Sequence, residues 1–300
     1  MRRAFCLLLL MRLATGAWAQ VLRVDPDVTD PSALRFNEAF IRRNGVLSIE
    51  GRSSIKRDGQ PMKEKGDRTE YRFEAGGYPS MISSTFGRPG SGIDTTSVTF
   101  TCDAHGHVIE ELRNDVNGFF AVRDSLDSVG RSLRHTYVRI RNNGTDRYHF
   151  VPGEETVISD ERSNWATIND TAWRCMVMND RGLPYRERVF HRDRWGYLRK
   201  IDDRNLITGR SGRTTLRYDE KGRLAERIDQ PDLASRDTHT FTWHYDNAGN
   251  VTARNEAHDG RQYRHSEYLY EEETMLLKAI LTKEVDTGVI HIQRFTTLRR

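Results

Sequence analysis

Apolar residues in this chain recur at every second position in short runs, the period of a half-buried strand. Phe241, Trp243 and Tyr245 share one face, with the more polar Thr240, Thr242 and His244 between them. Val98, Phe100 and Cys102 repeat the pattern, and Leu216 and Tyr218 keep its phase. Such runs predict antiparallel strands with one apolar and one wet face. Around Trp173-Arg174-Cys175-Met176-Val177-Met178 the alternation fails, which predicts a strand covered on both sides. One segment reads as helix. Asp30-Pro31-Ser32 offers a cap and a proline at the first helical position, Leu34, Ala39, Phe40 and Ile41 supply an apolar face, and Asn44-Gly45 is a stop, giving a helix over 31–43. Residues 272–284 carry some helical pattern, but a strand is favoured there. Residues 56–68, 87–96 and 141–147 read as exposed loops.

Between the runs a turn motif returns. Tyr218-Asp219-Glu220-Lys221-Gly222-Arg223-Leu224 and Tyr245-Asp246-Asn247-Ala248-Gly249-Asn250-Val251 are its clearest copies. The same frame holds around Asp103 and Gly106 and around Asp193 and Gly196. Looser copies surround Gly77 and Gly182, Asp127 to Gly130 keeps only the turn, and Tyr270 to Leu276 is a decayed copy with Thr274 in place of glycine. The chemistry is that of a hairpin. Asp accepts hydrogen bonds from backbone N–H groups further along, two residues form a type I turn, and Gly supplies the positive φ that closes it. Gly196, Gly222 and Gly249 lie 26 and 27 residues apart, room for two strands and two connections. Gly182 and Gly196, only 14 apart, break that rule.

These copies resemble the YD repeats of the RHS family, from about residue 71 to 276. The resemblance implies a β-hairpin meander in a bacterial cell-surface, periplasmic or secreted protein. Large members of that family form hollow shells around toxin domains. This chain is too short for such a shell, so cargo and autocleavage functions are not carried over. The expected fold is all-β, an antiparallel hairpin meander forming an open curved sheet or a partly closed barrel, with one short N-terminal helix.

Composition adds a destination. Met1–Gln20 has the plan of a secretory signal peptide: Arg2 and Arg3, an apolar stretch from Phe5, and Ala17-Trp18-Ala19 as the cleavage site. Three parts follow: a leader over 1–19, an extended segment and short helix over 20–45, and the hairpin repeats over 46–300. Removing Arg2, Arg3 and Arg12 with the leader takes the 47 Lys and Arg to 44, against 43 Asp and Glu. A near-neutral mature chain gives no electrostatic footprint for nucleic acid. No later segment is apolar enough to be a transmembrane helix. Cys102 and Cys175 remain and an exported chain can oxidise them, but Cys175 is out of phase with its motif, so a disulfide needs a bend or a bulge.

Candidate chemistry is sparse. His191-Arg192-Asp193 lacks the asparagine and glycine loop of a kinase, and Gly87 to Gly92 lacks the Gly-Lys-Ser/Thr ending of a phosphate loop. Asp103, His105 and His107 offer metal-ligand types, yet they belong to a turn. Asp25, Asp27 and Asp30 lack the rest of a calcium loop. The sequons at Asn143, Asn169 and Asn250 would matter only in a eukaryotic secretory pathway. No catalytic, cofactor or metal site is assigned. The residue before the turn glycine is Trp195, followed by Tyr197, where other copies hold His105, Arg181, Lys221 or Ala248. Trp195 and Tyr197 are therefore the candidate contacts for a glycan or protein of the envelope. Asp103, Gly106, Gly182, Asp193, Gly196, Asp219, Gly222, Asp246 and Gly249 are assigned to turns. The leading function is a non-enzymatic binding or scaffold protein of the envelope, which predicts a continuous sheet and no deep polar pocket. The alternatives are a polysaccharide-active enzyme, which needs a cleft with two close carboxylates and an aromatic platform, and a relative of an RHS toxin system.

Overall fold

The computed structural model describes residues 20–88, 92–146 and 149–300; the expected leader over 1–19 lies outside them. Among the described residues one short helix, α1 (Glu38–Arg43), precedes eighteen strands. These are β1 (Val46–Lys56), β2 (Lys63–Phe73), β3 (Pro79–Arg88), β4 (Gly92–Cys102), β5 (Val108–Asp115), β6 (Gly118–Leu126), β7 (Ser132–Asn142), β8 (Pro152–Asn169) and β9 (Ala172–Met178). The second half comprises β10 (Pro184–Arg192), β11 (Leu198–Asn205), β12 (Ser211–Tyr218), β13 (Leu224–Gln230), β14 (His239–Tyr245), β15 (Val251–His258), β16 (Arg261–Tyr270), β17 (Leu277–Glu284) and β18 (Ile290–Arg299). Each strand pairs antiparallel with the next, as at β9–β10 and β14–β15. The last pairs with the first, from Val46↔Arg299 to Lys56↔Ile290. The meander thus closes into an up-and-down barrel and leaves no exposed sheet edge.

The repeated turns build one rim. The hairpins that follow even-numbered strands carry Asp103, Asp127, Asp193, Asp219 and Asp246. In the Asp219 copy, Oδ1 accepts from Lys221 N and Arg223 N, both at 2.9 Å, while Gly222 N donates to Asp219 O at 3.0 Å. The Asn179–Gly182 turn joins β9 to β10 and therefore sits at the opposite rim. That explains the short 182–196 spacing: the two glycines belong to successive hairpins, one at each end of the barrel. The motif's other positions lock repeat to repeat. The hydroxyls of Tyr218, Tyr245 and Tyr270 donate to the carbonyls of Leu198, Leu224 and Val251, at 2.9, 2.6 and 2.7 Å. Each acceptor is the Leu or Val of the preceding copy. The residue after one turn glycine packs over the next turn glycine: Tyr78 over Gly106, His107 over Gly130 and Tyr197 over Gly222.

Eighteen strands enclose a space that wall side chains cannot fill alone. The N-terminal segment fills part of it. Residues 20–36 form a narrow loop closed by the Leu22↔Phe36 bridge, and α1 follows at the motif rim. Val21, Phe40 and Ile41 are essentially inaccessible and belong to one core with Ile49, Leu216, Trp243 and Leu277 from the wall. Burying each such side chain contributes about 1.5–3 kcal/mol. Three wall arginines hold this plug through polar atoms. Arg188 pairs with Asp27 at 2.8 Å, Arg227 donates to Val28 O at 2.6 Å, and Arg254 donates to Ser32 O at 3.1 Å.

Several sequence expectations change. The helix starts at Glu38, not at 31, because Asn37 Oδ1 caps Ala39 N and Phe40 N; residues 31–36 serve the plug instead. The expected antiparallel meander is present, and its sheet, expected open or partly closed, closes fully through the β1–β18 pairing. The 56–68 loop shrinks, since β1 runs through Lys56 and β2 begins at Lys63, and β3 and β4 extend into the expected 87–96 loop. Polar strand ends are solvated on both faces at a barrel rim, which hides them from an alternation test. Residues 277–284 are strand. In β9, Cys175 and Val177 face the core while Arg174 is exposed, so this strand is not covered on both sides. Cys102 and Cys175 are free thiols, and burial pushes both up.

Candidate functional site

The plug packs against one part of the wall and leaves the β3–β7 side of the lumen open. There lies a cavity of about 960 Å³. Alternation along the strands decides its lining. Tyr71 on β2, Ile82 on β3, Val98 and Phe100 on β4 and Glu111 on β5 are registered neighbours on the inner face. Phe36, Leu34 and α1 close the plug side, and Tyr78, His105 and His107 bring the cavity to the motif rim. Phe36 meets Tyr71 and Phe73 edge-on, with centroids 5.1 and 5.4 Å apart. Burial pushes the Tyr71 hydroxyl up to about 12, so it stays protonated. The body of the cavity is aromatic and aliphatic.

Its polar groups fall into two kinds. Glu38 is paired with Arg23 at 2.7 Å. Asp124 accepts from Ser132 at 2.6 Å and lies 3.1 Å from His135 Nδ1. Burial raises the Asp124 carboxyl, but His135 and Ser132 outweigh it and hold the group below its usual range. At the rim the hydrogen bond from His107 draws Asp103 down to about 2. By contrast, Arg35 and Arg42 line the cavity, are exposed to it, and have no ion-pair partner among the described residues. Glu111 on β5 is a lining carboxylate that likewise has no ion-pair partner among the described residues. The free guanidinium groups thus outnumber the free carboxylate two to one, and a lumen with an apolar body and that balance favours an amphipathic anion. The expectation was of no deep polar pocket; the lumen does hold a cavity, with an apolar body, because the barrel is too wide for the plug to fill.

A second cavity of about 640 Å³ lies beside the Asp27–Thr29 bend, among Arg186, Arg188, Arg227, Asp203 and Asp229. Its charges are mutually paired: Arg186 and Arg188 with Asp203, and Arg227 with Asp229. The outer wall is also charged. Arg68 and Arg52 flank Glu50, Arg123 joins Glu110 and Glu155, and Asp202 joins Lys200 and Arg213. A lipid-facing barrel presents an apolar band about 25 Å tall instead. One apolar cluster does face outward, Phe119, Ala121, Val138 and Ile140, and Phe150 from the following loop covers it, 4.2 Å from Phe119.

The sequence-level candidates stand at the motif rim. Trp195 is 67% exposed at its hairpin tip, with Arg194 over the ring at 4.1 Å. Tyr197 is partly covered by Tyr218, 4.9 Å away. Neither lines the main cavity. Of the residues that do, His105 and His107 stand out in the sequence only as metal-ligand types within a turn, and Val98 and Phe100 only as one face of a strand; these last, with Ile82 and Glu111, look like any inner-face positions until the plug's path is known.

No protein-family profile matches the chain, and no curated protein matches it. Solved structures similar to it include a porin-like protein from Bacteroides uniformis, 12% identical over 84% of this chain and 98% of that one, with a TM-score of 0.41. A LolA superfamily protein from Nitrosomonas europaea is 10% identical over 86% of this chain and 87% of the other, with a TM-score of 0.27. The TcdB2-TccC3-Cdc42 structure is 15% identical over 75% of this chain but only 14% of its own, with a TM-score of 0.18. Among the described residues no helix is long and apolar enough to cross a membrane.

Proposed function

We propose that this protein is an exported, water-standing barrel of the bacterial envelope that binds an amphipathic anion in its lumen. The observation that carries the proposal is the 960 Å³ cavity with its aromatic body and the unpaired Arg35 and Arg42 beside it. Its volume suits a small ligand, for which about 300–1,000 Å³ is usual. The N-terminal segment forms one wall of the site, so plug and ligand share the lumen. The leader over 1–19 supports export, and the charged outer wall supports a barrel surrounded by water. The turn repeat resembles that of the RHS type, and here its hairpins close a small tube. Trp195, exposed beside Arg194, supplies a contact for a glycan or protein of the envelope at the motif rim.

The test is titration with a fluorescent long-chain fatty acid and with its uncharged methyl ester. The acid should bind and should be displaced by unlabelled fatty acid. Ile82→Trp with Val98→Trp, which narrow the cavity from two neighbouring strands, should weaken binding of acid and ester alike, and Arg35→Glu with Arg42→Glu should weaken the acid selectively. Unchanged binding by the folded narrowed variant would overturn the proposal.

A further inference from the structure

At the rim opposite the motif turns, a second constellation stands apart from the lumen site. His239 opens β14 and His258 closes β15, and the two are direct cross-strand partners. Their rings lie 4.7 Å apart. Asp237 lies two residues before His239, at the end of the connection from β13. Its Oδ1 is 2.7 Å from His258 Nε2 and 3.8 Å from His239 Nε2. One ligand atom from each of the three residues lies within 4.8 Å of the others. We propose that Asp237, His239 and His258 bind a divalent transition-metal ion, and that Zn²⁺ is the ion this donor set suits.

The donor chemistry points to a borderline metal. Two imidazole nitrogens and one carboxylate oxygen are the ligands zinc takes in three-residue sites, where water completes the shell. Donors on one tetrahedral zinc stand about 3.4 Å apart, given metal–ligand bonds of about 2.0–2.2 Å. The present separations straddle that value, so the site closes on an ion through side-chain rotations alone. All three side chains are close to half exposed, which leaves them free to rotate and leaves an open coordination position.

A further carboxylate stands beside the site. Asp259 Oδ2 lies 3.7 Å from His258 Nδ1, on the side of the ring away from Asp237. That is longer than a hydrogen bond; closing it would direct Nε2, the other nitrogen, at the ligand position, the outer-shell arrangement found around zinc-bound histidines. Asp259 also fixes the connection. Its Oδ1 accepts from Thr238 N at 2.8 Å, and its own N–H donates to Thr238 O at 2.9 Å. Thr238 lies between Asp237 and His239, so these two bonds hold the ligand-bearing backbone against the β15–β16 turn. A bound ion would join that turn to the 231–238 connection.

The test uses the tag-free mature chain, stripped with chelator and titrated with ZnCl₂ by calorimetry. Co²⁺ serves as a visible probe of coordination. The expected result is one site per chain with micromolar affinity, a tetrahedral Co²⁺ absorption band, and a rise in melting temperature with added Zn²⁺. His239→Ala and His258→Ala should each weaken binding by more than a hundredfold, beyond the roughly 10–100-fold that losing an outer-shell partner costs. Asp259→Asn should weaken it less. His149→Ala, at a distant exposed loop, should bind as the parent does. Circular dichroism of each variant separates loss of the site from loss of the fold. No binding by the folded parent, or unchanged binding in the folded histidine variants, would overturn the proposal.

Discussion

The Tyr245 hydroxyl donates to the Leu224 carbonyl oxygen at 2.6 Å, joining the aromatic position of one repeat to the aliphatic position of the one before. Burial pushes the phenol well above its usual range, so it remains a donor at every accessible pH. Tyr245→Phe keeps the ring and removes the bond. It should destabilise the barrel by about 0.5–1.5 kcal/mol, read as a lower urea midpoint with an unchanged slope.

Gly222 has φ +77°, and a Cβ there would overlap the Tyr197 hydroxyl. Gly182 has φ +73° with nothing within 4 Å of such a Cβ. Gly182→Ala should therefore cost only the left-handed backbone penalty, roughly 1–2 kcal/mol. Gly222→Ala should cost about 1–3 kcal/mol more, from overpacking. In a Tyr197→Ala background the excess at Gly222 should vanish, a coupling that a double-mutant cycle in urea measures directly.

Arg254 and Glu256 form a nearly inaccessible pair at 2.7 Å, and Arg254 also donates to Ser32 O of the plug. Arg254→Met removes the partner of Glu256 Oε1 and leaves the carboxylate held only at Oε2, by the Tyr263 hydroxyl at 3.0 Å and Arg264 at 3.2 Å. Losing one partner of a buried pair costs about 3–5 kcal/mol. Hydrogen exchange should show faster amide exchange in residues 20–36 of the variant. Unchanged protection there would mean that the apolar contacts alone hold the plug.

The hydrogen bond to Asp124 raises the His135 pKa, against a smaller opposing effect of burial. His135 binds its proton more tightly folded than unfolded. Its stabilisation is therefore complete below the unfolded value of about 6.5 and is lost as pH rises through the higher folded value. Asp124 is held low, so its share is complete above about 3.9 and is lost as pH falls through the folded value. The pair should stabilise most between about pH 4 and 6.5. Histidine NMR should place the His135 midpoint above its ordinary value, and Asp124→Asn should move it down.

Trp195 makes no buried contact, so Trp195→Ala should leave stability within about 0.5 kcal/mol. If the tip contacts an envelope glycan or protein, the same variant should lose retention on a purified envelope fraction. Equal retention of parent and variant would remove Trp195 from the site.

The sequence by itself determined the local elements. Alternation marked the strands, and the Asp and Gly of each motif marked the hairpins, because both are written within a few neighbouring residues. It also carried the features that lock the repeats, Tyr218, Tyr245 and Tyr270 in phase with the following turns, although their acceptors lie 19 to 21 residues back. Only the tertiary structure decided that the ring closes, since β1 and β18 meet across the whole chain and nothing local encodes that pairing. It alone decided that residues 20–36 enter the lumen. Arg188, Arg227 and Arg254 look like wet-face residues until the plug's carbonyls and Asp27 stand opposite them. The cavity is the remainder of that packing: a tube too wide for one inserted segment leaves a space that no single strand's pattern shows. His239 and His258 likewise gain meaning only from register, which sets them side by side across a hairpin.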